Sequence, residues 1–200
     1  LGRHYSLAAR RTFAATPVGF SDEAWKSYAE LGLLALPFDT GLGGLGGAAI
    51  DTALVMETQG RALCLEPYIP TVVLCGTLLR LLATPTQQQE HIGAICGGQL
   101  RMALAHEEPG SRHGTAALAT AATQAGDGWL LHGRKSLVLG APGAHLLIVS
   151  AQMAGSTDMA LFLVDADAPG VRRTSRRLHD GGLAADITLD GVQVAVGDRL

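Results

Sequence analysis

Ala103-Leu104-Ala105-His106-Glu107-Glu108-Pro109-Gly110-Ser111 and, further on, Gly128-Trp129-Leu130-Leu131-His132-Gly133-Arg134-Lys135 decide how this chain of 200 residues is read. Each is a short run of small and apolar residues bordered by Pro or Gly, the pattern of a strand that ends at a turn. Gly126-Asp127-Gly128 supplies a turn between them. Nothing before Gln99 reads this way.

Outward from these segments, further strands are expected over residues 101–106, 117–123, 129–132, 136–139, 146–151, 160–164 and 187–196. Gly140-Ala141-Pro142-Gly143, Pro169-Gly170 and Asp190-Gly191 separate them, and the even spacing favours a barrel or sandwich. The run Arg172-Arg173-Thr174-Ser175-Arg176-Arg177 reads as a solvated basic turn, with a phosphate contact as the alternative.

Toward the N-terminus the period changes to that of helices. Ser21 caps a segment in which Trp25, Tyr28, Ala29, Leu31 and Leu34 recur at helical spacing, Asp22 and Glu23 sit near its positive end, and Pro37 ends it. Further helices are expected over 48–63 and 71–82. A fourth starts at Thr84-Pro85-Thr86-Gln87, a capping box with Pro at the first helical position, and stops at Gly97-Gly98. The expected fold class is therefore α+β and multidomain: an all-α helical bundle over residues 1–99, then a β-barrel or sandwich over 100–200.

Hydrophobic residues make up 48% of the chain, enough for a substantial core, and the net charge of −3 shows no electrostatic footprint for nucleic acid. No apolar run approaches the roughly 20 residues needed to cross a bilayer. Leu1-Gly2-Arg3-His4 lacks a signal-peptide layout, so a cytoplasmic protein without membrane partners is expected. Cys64, Cys75 and Cys96 follow no zinc or disulfide pattern, and His91 and His132 have no ligand-spaced neighbours, so reduced core thiols and no metal are expected. The chain begins without Met and ends at Asp198-Arg199-Leu200, which suggests that one or both ends of a longer polypeptide are missing.

Gly41-Leu42-Gly43-Gly44-Leu45-Gly46 satisfies G-x-G-x-x-G literally. Its context does not fit a dinucleotide fold: a helix precedes it, no βαβ alternation follows, and no ribose-binding acid ends a second strand. A helix-connecting loop is the better reading.

Several of these strings resemble the acyl-CoA dehydrogenase family. In that family a strand ending in a Thr-Glu-Pro turn is followed by a Gly-x-Lys-x-aromatic-Ile-Thr strand, and Glu108-Pro109 and Gly133-Arg134-Lys135 fall into that pattern. Leu31 to Pro37, the glycine loop and the string Gly60-Arg61-Ala62-Leu63-Cys64-Leu65-Glu66-Pro67-Tyr68 are similar to the pimeloyl-CoA dehydrogenase small-subunit type. The resemblance implies an N-terminal helical domain and a middle β-barrel, with the C-terminal four-helix bundle of the family absent from this chain. It implies FAD as cofactor, a CoA thioester of a dicarboxylic or otherwise unusual acyl chain as substrate, an electron-transfer flavoprotein as partner, and a homo- or hetero-oligomer.

In such enzymes a carboxylate takes the α-proton while the β-hydrogen leaves as hydride to flavin. The family's base lies in the bundle, so no residue here is expected to be catalytic, and Glu108 is expected to be structural. Carried over residue by residue, Leu104, His106 and Glu107 flank the flavin pyrimidine edge. Arg112 and His113 lie where flavin and the acyl carrier's phosphates approach, and Leu137, Val138 and Leu139 replace the aromatic-Ile-Thr triplet. Glu107 stands in place of Thr or Ser, and Leu139 lacks the hydroxyl that bonds near flavin N5, which predicts slower hydride acceptance. The acyl pocket is expected near residues 68–75, with Tyr68, Ile69 and Val72 read equally well as core. Three readings follow: a dehydrogenase subunit, a catalytically silent subunit that completes a heteromeric dehydrogenase, and, more weakly, a flavin-dependent monooxygenase on the same fold.

Overall fold

A computed structural model describes residues 5–110 and 118–200. The chain divides into two compact units, Leu1–Arg101 with His179–Gly182, and Met102–Leu178 with Leu183–Leu200.

The first unit is helical: α1 (Leu7–Ala14), α2 (Asp22–Glu30), α3 (Ala49–Ala62), a π-helix (Ile69–Cys75) that runs directly into α4 (Gly76–Leu82), and α5 (Pro85–Cys96). Two caps act as the sequence indicates. Ser21 Oγ accepts the Ala24 N–H at 3.2 Å, and the Thr84–Gln87 capping box closes in both directions at 3.3 and 2.8 Å. Trp25, Tyr28, Leu34, Phe38, Tyr68, Leu79, Ile92 and Ile95 form the core.

The described residues hold five α-helices where the helical periodicity gives four; the additional one is α1, which Ser6 caps by accepting the Ala9 N–H at 3.1 Å. α2 stops seven residues before Pro37. Gly32, at φ 71°, ends it in a Schellman arrangement, with its N–H on Ala29 O and the Leu33 N–H on Tyr28 O, both at 2.9 Å. The glycine-rich segment is a loop: Leu45, Gly46 and Gly47 donate back to Ala35, Phe38 and Leu36 carbonyls at 2.7–2.9 Å.

The second unit is one curled sheet of β1 (Met102–Ala105), β2 (Ala121–Ala125), β3 (Gly128–Leu139), β4 (Leu146–Met153), β5 (Met159–Asp165), β6 (Val171–Arg177) and β7 (Leu183–Ala195). Its order is β1-β4-β2-β3-β7-β6, with β5 on the other edge of β4. Residues of the strands converge on one cluster that includes Ala103, Leu131, Val138, Val149, Phe162, Ala185 and Ile187, against which β6 packs only Val171.

Residues 129–132 and 136–139 belong to a single strand, because Gly133, Arg134 and Lys135 between them stay paired with Leu189, Thr188 and Ile187; irregularities fall between Leu131 and His132 and between Lys135 and Val138. The expected strand over 117–123 begins at Ala121, and residue 117 lies outside the described residues; β7 begins at Leu183 rather than 187. The basic run is the edge strand β6, not a turn. Its arginines face carboxylates: Arg172 meets Asp190 at 3.4 Å, Arg176 meets Asp186 at 2.8 Å, and Arg173 pairs with Asp167. Charge of this kind also blunts an open sheet edge.

Among the described residues no helix is long and apolar enough to cross a membrane, and Cys64, Cys75 and Cys96 are free thiols.

Candidate functional site

Lys135 is the centre of the site in the sheet. It lies on β3 at 1% exposure, where an ammonium is stable only if several acceptors replace its water shell. Its Nζ donates to Glu108 Oε1 at 2.7 Å, Ser150 Oγ at 3.1 Å and the His106 carbonyl at 3.2 Å. Glu108 in turn accepts the Ala119 and Thr120 N–H groups at 2.7 and 3.0 Å. Burial would raise the Glu108 carboxyl, but the hydrogen bonds from Lys135, Thr120 and Ala119 outweigh it and hold the group at about 2. Burial lowers the Lys135 ammonium from its ordinary value, against the pull of Glu108.

Gly133 makes this arrangement possible. A Cβ there would sit 2.5 Å from Thr120 Oγ1 and 2.6 Å from Thr120 Cα, so only glycine lets the Thr120 backbone come close enough to serve Glu108. The Gly-x-Lys spacing thus has a physical content: glycine admits the neighbouring backbone, and the lysine two residues on points to the same side of the strand.

The end of β1 is held by the same network. The His106 ring is half-buried, with Nδ1 2.9 Å from Ser150 Oγ. The Glu107 carbonyl accepts the Ser136 N–H at 2.8 Å, which fastens the turn after β1 to the centre of β3. Leu104 is half-buried on β1.

Beyond that junction β3 presents two leucines outward. Leu137 is 58% exposed and Leu139 46%, while Val138 between them is buried at 2% in the core. Val138, named above among the cofactor-binding positions, turns its side chain into the core and pairs with Ala185 of β7. Arg112 and His113 lie outside the described residues. The sequence alone leaves Lys135, Ser150 and Asp186 without a role. For Lys135 the usable signal is its place on the same strand face as Leu131 and Gly133, a face that needs a buried acid to receive an ammonium; Ser150 and Asp186 carry none.

An uncovered apolar pair beside a turn of fixed backbone suits one face of a flat aromatic ring with a polar rim. The residues present therefore fit an isoalloxazine ring. Leu139 offers it packing and no side-chain donor.

In the helical unit Tyr68 and Val72 are core residues at 0% and 1% exposure, and Ile69 is exposed at 44%. Burial raises the Tyr68 phenol to about 12, and its hydroxyl donates to Leu33 O at 3.2 Å. His132 Nδ1 accepts the Gly191 N–H at 3.1 Å. Among the described residues no three His, Cys, Asp or Glu side chains gather to hold a metal.

Comparison with known proteins matches both units. The family model "Acyl-CoA dehydrogenase, N-terminal domain" matches residues 7–99 and "Acyl-CoA dehydrogenase, middle domain" matches residues 103–192. A probable acyl-CoA dehydrogenase of Bacillus subtilis, YngJ, is 29% identical over 191 residues, covering 90% of this chain and 50% of the relative. A solved steroid ACAD, Tcur3481-Tcur3483 in a variant form, superposes with a TM-score of 0.84 at 29% identity, covering 97% of this chain and 52% of that one. The ChsE4-ChsE5 complex from Mycobacterium tuberculosis shares the fold, with a TM-score of 0.88 at 24% identity over 99% of this chain and 52% of its own. The chain spans about half the length of the curated relative.

Proposed function

The chain belongs to the acyl-CoA dehydrogenase family, and from that membership we propose that it forms the FAD-holding half of an enzyme that oxidises an acyl-CoA thioester between its α and β carbons and passes the electrons to an electron-transfer flavoprotein. The observation that carries this reading is the exposed pair Leu137 and Leu139, set beside the 106–107 turn by the buried Lys135–Glu108 pair.

Leu104, His106, Glu107, Leu137 and Leu139 would hold the FAD ring; Arg112 and His113, the other two positions expected to meet it, lie outside the described residues. When bound, FAD accepts the β-hydrogen as hydride. The chain's own residues prepare the place for that event. Leu137 and Leu139 keep water from one side of the cleft, which strengthens the electrostatic interactions within it. Lys135 and Glu108 neutralise each other out of solvent and keep the 106–107 backbone in place, so its dipoles need not reorganise as charge develops. The base that takes the α-proton is assigned to no residue of this chain; a carboxylate from the remainder of the dehydrogenase fills that role. Assembly with further copies or with a second type of subunit completes the enzyme.

Anaerobic addition of pimeloyl-CoA and simpler acyl-CoA thioesters to the assembled, flavin-loaded protein tests the reading. A bleached flavin band supports the dehydrogenase; a band unchanged by every thioester counts against it.

A second reading, a silent subunit that completes a heteromeric dehydrogenase, is favoured by Leu139, whose apolar side chain cannot donate to flavin. A flavin that stays oxidised in this subunit while the assembled partner turns over would establish it.

A further inference from the structure

The bulge in β3 is organised around one side chain on the neighbouring strand. Lys135 pairs with Ile187 and Val138 with Ala185, so Ser136 and Leu137 both face the single residue Asp186 of β7. Two N–H groups then face one residue of the ladder, and each needs an acceptor from elsewhere. The Ser136 N–H turns to the Glu107 carbonyl at 2.8 Å, and the Leu137 N–H takes Asp186 Oδ1 at 3.2 Å. The other carboxylate oxygen, Oδ2, accepts Arg176 Nε at 2.8 Å.

Leu137 itself sits at φ 51°, a left-handed conformation that side chains other than glycine rarely adopt. Such a backbone persists where its surroundings hold it. Here the conformation turns Leu137 outward to 58% exposure, beside the end of β1. The hydrogen bond from Arg176 and then that from the Leu137 N–H lower the Asp186 carboxyl from its ordinary range, so the acceptor stays ionised at neutral pH.

We infer that Asp186, braced by Arg176, is a positioning residue that fixes the left-handed Leu137 and thereby sets the platform on which the cofactor ring rests. The inference depends on the FAD-holding reading above. It gives β6 a purpose other than phosphate binding: Arg176 orients the acid that orients the bulge. It also separates the two sides of β3, where Lys135 anchors the strand from within and Asp186 anchors it from the rim.

The test compares the full chain with Asp186→Ala, Asp186→Asn and Arg176→Gln, reading hydrogen exchange of the Leu137 amide without flavin and the dissociation constant for added FAD. Asp186→Ala should speed exchange and weaken FAD about tenfold each, the effect of losing one charge-assisted hydrogen bond. Asp186→Asn keeps an acceptor oxygen and should stay within about threefold of the parent in both, which separates positioning from misfolding. Arg176→Gln should fall between them. Unchanged exchange in Asp186→Ala overturns the inference, and so does faster exchange with FAD affinity intact. A parent chain that takes up no FAD contradicts the proposed function and removes the cofactor role of Asp186; the exchange measurement then still decides whether Asp186 holds the bulge.

Discussion

Lys135 Nζ lies 2.7 Å from Glu108 Oε1, with the lysine side chain wholly enclosed and the glutamate 8% exposed. The pair joins the turn after β1 to the middle of β3, two segments 27 residues apart. Its value is geometric. Two charges withdrawn from water gain little net stability from each other, but each forbids any arrangement that leaves the other alone.

Lys135→Met should therefore destabilise the sheet by about 3–5 kcal/mol, the usual consequence of stranding a buried partner. Urea unfolding of Lys135→Met, Glu108→Leu and the double variant measures it. The double variant should recover much of the loss, and a simple sum of the two single effects would contradict the coupling.

The pH dependence follows from the same carboxylate. Glu108 titrates at about 2 in the fold against an ordinary 4.5, so between these values the unfolded chain holds a proton that the folded chain lacks. Stability from this group is complete above the ordinary value and is lost as pH falls toward 2, with a slope of about 1.4 kcal/mol per pH unit. Glu108→Gln should lack that slope. Equal acid sensitivity in the two proteins would rule the linkage out.

Gly133→Ala places a methyl group 2.6 Å from Thr120 Cα, a backbone atom that cannot swing aside. An overpacking cost of about 1–3 kcal/mol is expected. Melting temperature reports it, and a variant as stable as the parent would mean that the β2 entry does not depend on this close approach.

Leu139→Thr replaces a 46% exposed leucine with a residue that suits a strand and offers a hydroxyl. Stability should change little. FAD should bind about three- to tenfold more tightly if one neutral hydrogen bond is gained, as read by fluorescence quenching on titration. Unchanged affinity would place residue 139 away from the ring edge.

Much of the architecture was legible in local patterns. Ser21, Thr84 and Gln87 mark helix starts because a cap is satisfied within a few residues of itself. The sequence carries α2 on to Pro37, the stronger local signal, whereas the Schellman turn at Gly32 ends it first. The bulge at Ser136 and Leu137 is not legible in the sequence: Gly133, Arg134 and Lys135 interrupt the apolar run and suggest two strands, whereas the bulge lies inside the second of them. Ser150 and Asp186 were invisible for a different reason. Their partners, His106, Lys135, Leu137 and Arg176, are brought to them by sheet register, and no spacing along the chain encodes register by itself. The arginines of β6 looked like a turn because charge and exposure are shared by turns and edge strands.

FAD is proposed to bind this chain through the 104–107 and 137–139 segments, and an absorbance spectrum of the protein purified alone, followed by titration of the flavin-free form with FAD, tests that binding. A flavin band, or saturable uptake of one FAD per chain that Leu137→Asp abolishes while the fold persists, is the predicted result. A folded chain that takes up no FAD, or takes it up equally well with Leu137→Asp, would contradict the account.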